Sequence, residues 1–139
     1  MKNNNSILRA FLGIFTVINL AMAVLSFVAG SSAIKFVALF YGATIDLTPQ
    51  MTHVIRMFGA MNLAMAFMGA AAMIDPGKNR AIINGAIILL LVRAIEMLVF
   101  YKDIVDNFNI APSRLIFNSA TFLVMAIALI VFRPKTQNN

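Results

Sequence analysis

Four stretches of predominantly apolar residues, 7–29, 51–74, 81–101 and 114–132, leave this chain little choice of fold. A helix crossing the hydrocarbon core of a bilayer needs roughly 20 such residues. In lipid only a helix or a closed barrel satisfies its own backbone polar groups. The four runs therefore predict an all-α, integral membrane four-helix bundle forming a single transmembrane domain, residues 1–139. With 61% hydrophobic and 12% charged residues, the chain carries about half the charge of a soluble domain, which is typically about a quarter charged.

The breaks between the runs are punctuated. Asp75-Pro76-Gly77 closes the second span with a tight turn, because Pro cannot continue a helix and Gly accepts positive φ. Thr48-Pro49 reads as an N-cap followed by Pro at the first helical position, and Pro112 opens the fourth span in the same way. The short turn predicts a close hairpin of the second and third spans. The first run, with Lys2 and Arg9 ahead of it and small residues near Gly30, has the outline of a signal peptide. It is longer than the usual apolar core of about 7–15 residues, so we expect it to be retained.

Orientation follows from Lys and Arg in the short connections. Lys2 and Arg9, Lys78 and Arg80, and Arg133 and Lys135 fall on one side. The other side has Lys35, Lys102 and Arg114, offset by Asp46, Asp103 and Asp106. Both termini are thus expected in the cytoplasm, and the localisation expected is a bacterial cytoplasmic (inner) membrane. The 31–50 connection contains AIKFVALFYG, too short to span. It is expected to form a short interfacial or re-entrant helix on the outer side, with Tyr41 and Tyr101 near the headgroups. The pentapeptide NLAMA occurs at 19–23 and again at 62–66; so short a match of small and apolar residues recurs easily by chance, although inverted repeats are a transporter signature.

The third span carries charge. In LLLVRAIEMLVF, residues 89–100, Arg93 and Glu96 interrupt an otherwise apolar run. At 1.5 Å per residue Glu96 lies about 7–8 Å inside the outer end and Arg93 about 12 Å inside. On the second span His53 falls just inside the outer boundary and Arg56 about 8 Å in. Arg56 and Glu96 share a depth, so a salt bridge between them is expected. Each charge alone costs roughly 2.5–3.5 kcal/mol near the membrane centre. Two arginines against one glutamate leave a positive charge over. It is shared, snorkels outward, or is met by an anion.

Amide and small residues extend the pattern. Thr16, Asn19, Ala23 and Ser26 recur at helical spacing on the first span, and Arg56, Gly59, Asn62, Ala66 and Gly69 on the second. Asn118 and Thr121 lie in the outer half of the fourth. Small residues at this spacing let helix backbones approach, with Asn and Thr bonding across the contact. Intramembrane ionisable residues are functional candidates by default, but a structural ion pair is an equally good account of Arg56 and Glu96. Of the charged residues Arg93 lies deepest. His53 is a lone histidine near an interface and a weak candidate for a pH-responsive or ligand role. The ten methionines suit adaptable packing.

Several chemistries are disfavoured. The net charge of +6 is scattered between apolar runs, with none of the clustered basic face that nucleic acid requires. There is no cysteine, hence no disulfide, thiolate metal site or cysteine nucleophile. One His and one intramembrane Glu do not make a metal centre, and Ser26 lacks an evident base. We expect no catalytic residues, no cofactor and no enzyme activity.

From residue 52 to 133 the chain resembles the DoxX-like group of small bacterial four-helix membrane proteins of unknown function. The resemblance is carried by Arg56-Met57-Phe58-Gly59 opening the second span, Asp75 in the turn, Arg93 in the third span and Pro112 before the fourth. The chain departs from the group at Asn118, where an acidic residue is often found. The resemblance implies the four-helix membrane fold and almost nothing about activity.

Two functional readings follow. In the first, the protein is an accessory or assembly subunit, packing in the bilayer against itself or another membrane protein, with Arg56–Glu96 as an internal strut. In the second, an outward-facing polar pocket binds or passes a small anionic or polar solute, with Arg93 as anchor and Asn19, Asn62 and Asn118 lining the route. Packing and pairing alone explain the polar groups, which favours the first.

Overall fold

The computed structural model of the chain describes residues 2–28 and 31–134; Gly30 and Lys135, invoked above, lie outside them. The fold is an all-α, four-helix membrane bundle. Its helices are α1 (Lys2–Val28), α2 (Ser31–Phe40), α3 (Pro49–Ile74), α4 (Arg80–Val99), α5 (Tyr101–Phe108) and α6 (Pro112–Phe132). Of these, α1, α3, α4 and α6 are long and apolar enough to cross a membrane.

Local chemistry sets the helix ends. Thr48 Oγ1 accepts from the Met51 N–H at 3.1 Å, and Pro49 occupies the first turn of α3, where its missing N–H costs nothing. At the other end of α3, side chains add hydrogen bonds to the last carbonyls and to that of the cap residue Asp75. Asn79 Nδ2 donates to Ala71 O at 2.9 Å and to Asp75 O at 3.0 Å, and Arg9 Nη2 donates to Ile74 O at 3.2 Å.

The bundle is two antiparallel pairs, α1 along α3 and α4 along α6. In the first pair the small residues decide the approach. A Cβ on Gly59 would lie 2.6 Å from Ser26 Cβ, and one on Gly69 would lie 2.6 Å from Thr16 Oγ1. The packing role expected of Gly59, Gly69 and Thr16 is therefore what the backbones show. In the second pair Ser119 Oγ donates to Ala94 O at 3.0 Å. The close hairpin expected of the second and third spans does not form. Although a short turn joins them, α3 and α4 touch only sparsely, because the small-residue stripe of α3 faces α1. Where the pairs meet, Leu12, Ala72, Ile83, Ile87, Ala126 and Leu129 form the main core.

The start of α1, the α3–α4 turn and the end of α6 share one end of the bundle, tied by Arg9 to Ile74 and by Arg133 Nη1 to Asn84 Oδ1 at 3.4 Å. This turn end gathers Arg9, Lys78, Arg80 and Arg133. The opposite end carries a cap made of α2, the segment 41–48 and α5. The ten residues of α2 reach only about 15 Å, too short to span. Gly42 ends α2 at φ +82°, with its N–H on Leu39 O and the Ala43 N–H on Ala38 O, the paired bonds of a Schellman motif.

The third span is shorter than expected. It stops at Val99, and Tyr101 begins a separate helix, α5. Tyr101, Ile104 and Val105 of that helix pack with Ala43, Ile110 and Leu115 under the cap, while Lys102, Asp103 and Asp106 stay exposed. Asn109, left-handed at φ 48°, terminates it.

Candidate functional site

Among α1, α3, α4 and α6, in the half nearer the cap, lies a cavity of about 280 Å³. Four of the expected site residues line it, one from each spanning helix: Asn19, Asn62, Arg93 and Asn118. Tyr41 and Arg114 line it from the cap side. Apart from Thr121, the remaining wall is apolar, with aromatic and thioether side chains such as Phe15, Met22, Met65, Phe117 and Phe122 beside aliphatic ones.

The three amides are held differently. Asn19 Nδ2 donates to Phe15 O of its own helix at 2.8 Å, which fixes its rotamer and leaves the carbonyl oxygen toward other partners. Asn118 Nδ2 donates to Tyr41 O at 3.0 Å and so joins α6 to the cap. Asn62 is only 8% exposed and makes no hydrogen bond among the described residues, yet it lines the cavity. Both copies of the NLAMA pentapeptide border this cavity, through Asn19 and Met22 on α1 and Asn62 and Met65 on α3.

Arg93 is half-buried, and its Cζ sits 5.1 Å from the centroid of the Phe58 ring on α3. The expected Arg56–Glu96 bridge is absent. Both side chains are exposed, and an ion pair forms instead between Lys78 and Asp75, at 3.8 Å in the turn. The reason is rotational. Phe58 meets α4, and Arg56, two residues earlier, points about 200° around the helix, away from α4. Equal depth placed Arg56 and Glu96 at one level without placing them face to face. His53 is exposed and outside the cavity. Thus Arg93, Asn19, Asn62 and Asn118 converge, and Arg56, Glu96 and His53 do not join them. Arg93 has no carboxylate partner among the described residues.

The cap closes one end of the cavity. Arg114 Nη2 donates to Phe40 O at 3.0 Å, and its Cζ lies 5.8 Å from the Phe117 ring centroid. The Thr44 N–H reaches Phe108 O at 3.1 Å, tying the segment after α2 to α5. Burial raises the Tyr41 phenol above its ordinary pKa, an effect the nearby Arg93 cation partly opposes.

Sequence reasoning passed over Tyr41 and Arg114, reading one as a headgroup anchor and the other as a loop charge. A signal existed for Arg114: Arg114, Phe117, Asn118 and Thr121 recur at helical spacing, so one face of α6 presents all four to the cavity. For Tyr41 there was none, because its position depends on how α2 folds back.

The arrangement suits recognition. Two guanidinium groups, three amides, a phenol and a threonine hydroxyl converge within an otherwise apolar wall, the usual make-up of a small-molecule site. Among the described residues no carboxylate or imidazole lines the cavity. Among the described residues no three His, Cys, Asp or Glu side chains converge as a metal site requires. Set against family models, curated proteins and solved structures, the chain matches none.

Proposed function

We propose that this protein binds a small anionic or strongly hydrogen-bond-accepting molecule inside its bundle, in a bacterial cytoplasmic membrane with both termini in the cytoplasm. The observation that carries the reading is the convergence of unneutralised Arg93 and unpartnered Asn62 on one cavity. A charge near the membrane centre costs roughly 2.5–3.5 kcal/mol, and an anion bound there offsets part of that cost. The four guanidinium and ammonium groups at the turn end support the orientation by the positive-inside rule.

A second reading keeps the accessory subunit. Arg56 and Glu96 are exposed on apolar helices, where facing lipid is unfavourable and a partner polypeptide would satisfy them. Native mass spectrometry of protein extracted gently from its own membrane separates the two. A small acidic adduct lost on Arg93→Leu is the result expected of the binding site. A second polypeptide at fixed stoichiometry, with no small adduct, would instead make this a subunit.

A further inference from the structure

We infer that the molecule bound at Arg93 is a single-chain amphiphile, with an anionic head in the Arg93 cavity and an apolar tail running toward the turn end between α3 and α4. The inference rests on the binding reading above and specifies its ligand class.

A second cavity, of about 500 Å³, lies next to the first. It occupies the inner half of the bundle, where α3 and α4 diverge after their shared turn. Every residue lining it is apolar or glycine, among them Leu12, Met68, Ala72, Ile82 and Gly85. Phe15, Met65 and Leu89 line both cavities, so the two abut with only these three side chains between them, and a chain running from one to the other need displace nothing else. Polar groups are thus confined to one end. From Arg93 to Ala81, the last cavity residue on α4, is twelve residues, about 18 Å along the helix. A compact polar solute would fill only the first cavity. A molecule with a charged end and a flexible apolar body matches both.

Gly85, an exposed residue lining the second cavity, marks where the cleft is open. A Cβ there would meet nothing within 4 Å, whereas one on Gly59 or Gly69 would collide with α1. The helix surface at Gly85 therefore faces open width and not a neighbouring helix. Lipid tails are as apolar as the cleft, so the tail gains little by transfer from the bilayer. The head holds the molecule, and the cleft selects the shape and length of its chain.

The test uses the full-length protein in nanodiscs and two photoreactive long-chain fatty acids, one with a diazirine beside the carboxylate and one with it at the terminal carbon. Labelled residues are mapped by mass spectrometry. The first probe is expected to label the surroundings of Tyr41, Arg93 and Asn118, and the second Met68–Ala72 and Ala81–Ala86. Gly85→Leu and the bulkier Gly85→Trp, whose Cβ meets nothing within 4 Å, should drive the terminal label out of the cleft and leave the head label in place. Arg93→Gln should lower both labels roughly tenfold, equivalent to about 1.4 kcal/mol. A terminal label spread over exposed Phe67 and Val124, with the head label still dependent on Arg93, overturns the tail path alone. A head label indifferent to Arg93→Gln overturns the binding site and the tail path with it.

Discussion

The Arg93 guanidinium of α4 lies over the Phe58 ring of α3, 5.1 Å from its centroid. The expected link between these two helices was an Arg56–Glu96 salt bridge; the observed one joins other residues and its chemistry differs. A carboxylate would neutralise the cation, whereas an aromatic face orients it and leaves its charge available. With α3 and α4 otherwise barely touching, Phe58 is also one of the few fixed points between the two helix pairs. The Arg93 guanidinium is therefore oriented by the ring and has no carboxylate partner among the described residues.

Replacing Phe58 by Leu removes the ring and keeps an apolar side chain. A cation–π contact of this kind contributes roughly 0.5–2 kcal/mol, so the Kd of an anionic probe should rise by about two- to thirty-fold. Phe58→Tyr, which retains the ring, should bind like the parent. Titration of a fatty acid into each variant, with circular dichroism to verify the helices, checks this. Equal weakening by Leu and Tyr would show that the ring face does not position Arg93.

Arg56 and Glu96 should behave as independent residues. Distant sites add within about 0.3–0.5 kcal/mol, and these side chains are both exposed with no shared partner among the described residues. A double-mutant cycle of Arg56→Gln and Glu96→Gln, read by unfolding in mild detergent, should give a coupling energy inside that range. A coupling of 1 kcal/mol or more, well outside it, would mean that the two meet within the chain or across a dimer.

The contrast between the bridge that failed and the cavity that formed marks what the sequence conveys. Depth along a spanning helix follows from counting at a fixed rise per residue, and Asn19, Asn62, Arg93 and Asn118 were placed at compatible levels that way. Rotation about each axis was not available, because it depends on which helices pair. Two helices joined by the Asp75–Asn79 turn look like partners, yet Gly59 and Gly69 commit α3 to α1. The spans themselves were legible because lipid demands long apolar helices, and Thr48-Pro49 and Pro112 marked two of their starts. The helix α5 was hidden by its charge. Lys102, Asp103 and Asp106 read as a loop, although Tyr101, Ile104, Val105 and Phe108 carry a helical period.

Two glycines should respond to the same substitution in opposite ways. In Gly59→Ala the new methyl group would lie 2.6 Å from Ser26 Cβ, an atom held by its own helix backbone, so α1 and α3 must separate. Overpacking of this kind costs typically about 1–3 kcal/mol. Gly85→Ala meets nothing within 4 Å and gains helix propensity of up to about 1 kcal/mol. Thermal unfolding in one detergent should therefore rank Gly85→Ala at or above the parent and Gly59→Ala below it. The reverse order would contradict the α1–α3 contact.

Tyr41 should make the cap sensitive to alkali. Its phenol is raised above the ordinary tyrosine pKa because burial disfavours the phenolate, with Arg93 partly opposing. In the unfolded chain it ionises near pH 10. Just above that pH the folded protein still holds the proton that the unfolded chain has released, so stability falls as pH rises. The contribution of the neutral phenol is complete below about pH 10 and is lost as pH climbs through the folded value. Because Asn118 Nδ2 donates to the Tyr41 carbonyl at 3.0 Å and Arg114 Nη2 to that of Phe40 at the same distance, the cap should loosen with it. In a Tyr101→Phe background, tyrosinate absorbance reports Tyr41 alone, since the chain has two tyrosines. Ionisation above the ordinary value, with hydrogen exchange of the Tyr41–Thr44 amides accelerating over the same interval, is expected. Tyr41→Phe should remove that coincidence, and ionisation at or below about pH 10 would show that the phenol faces water and that the cap leaves the cavity open.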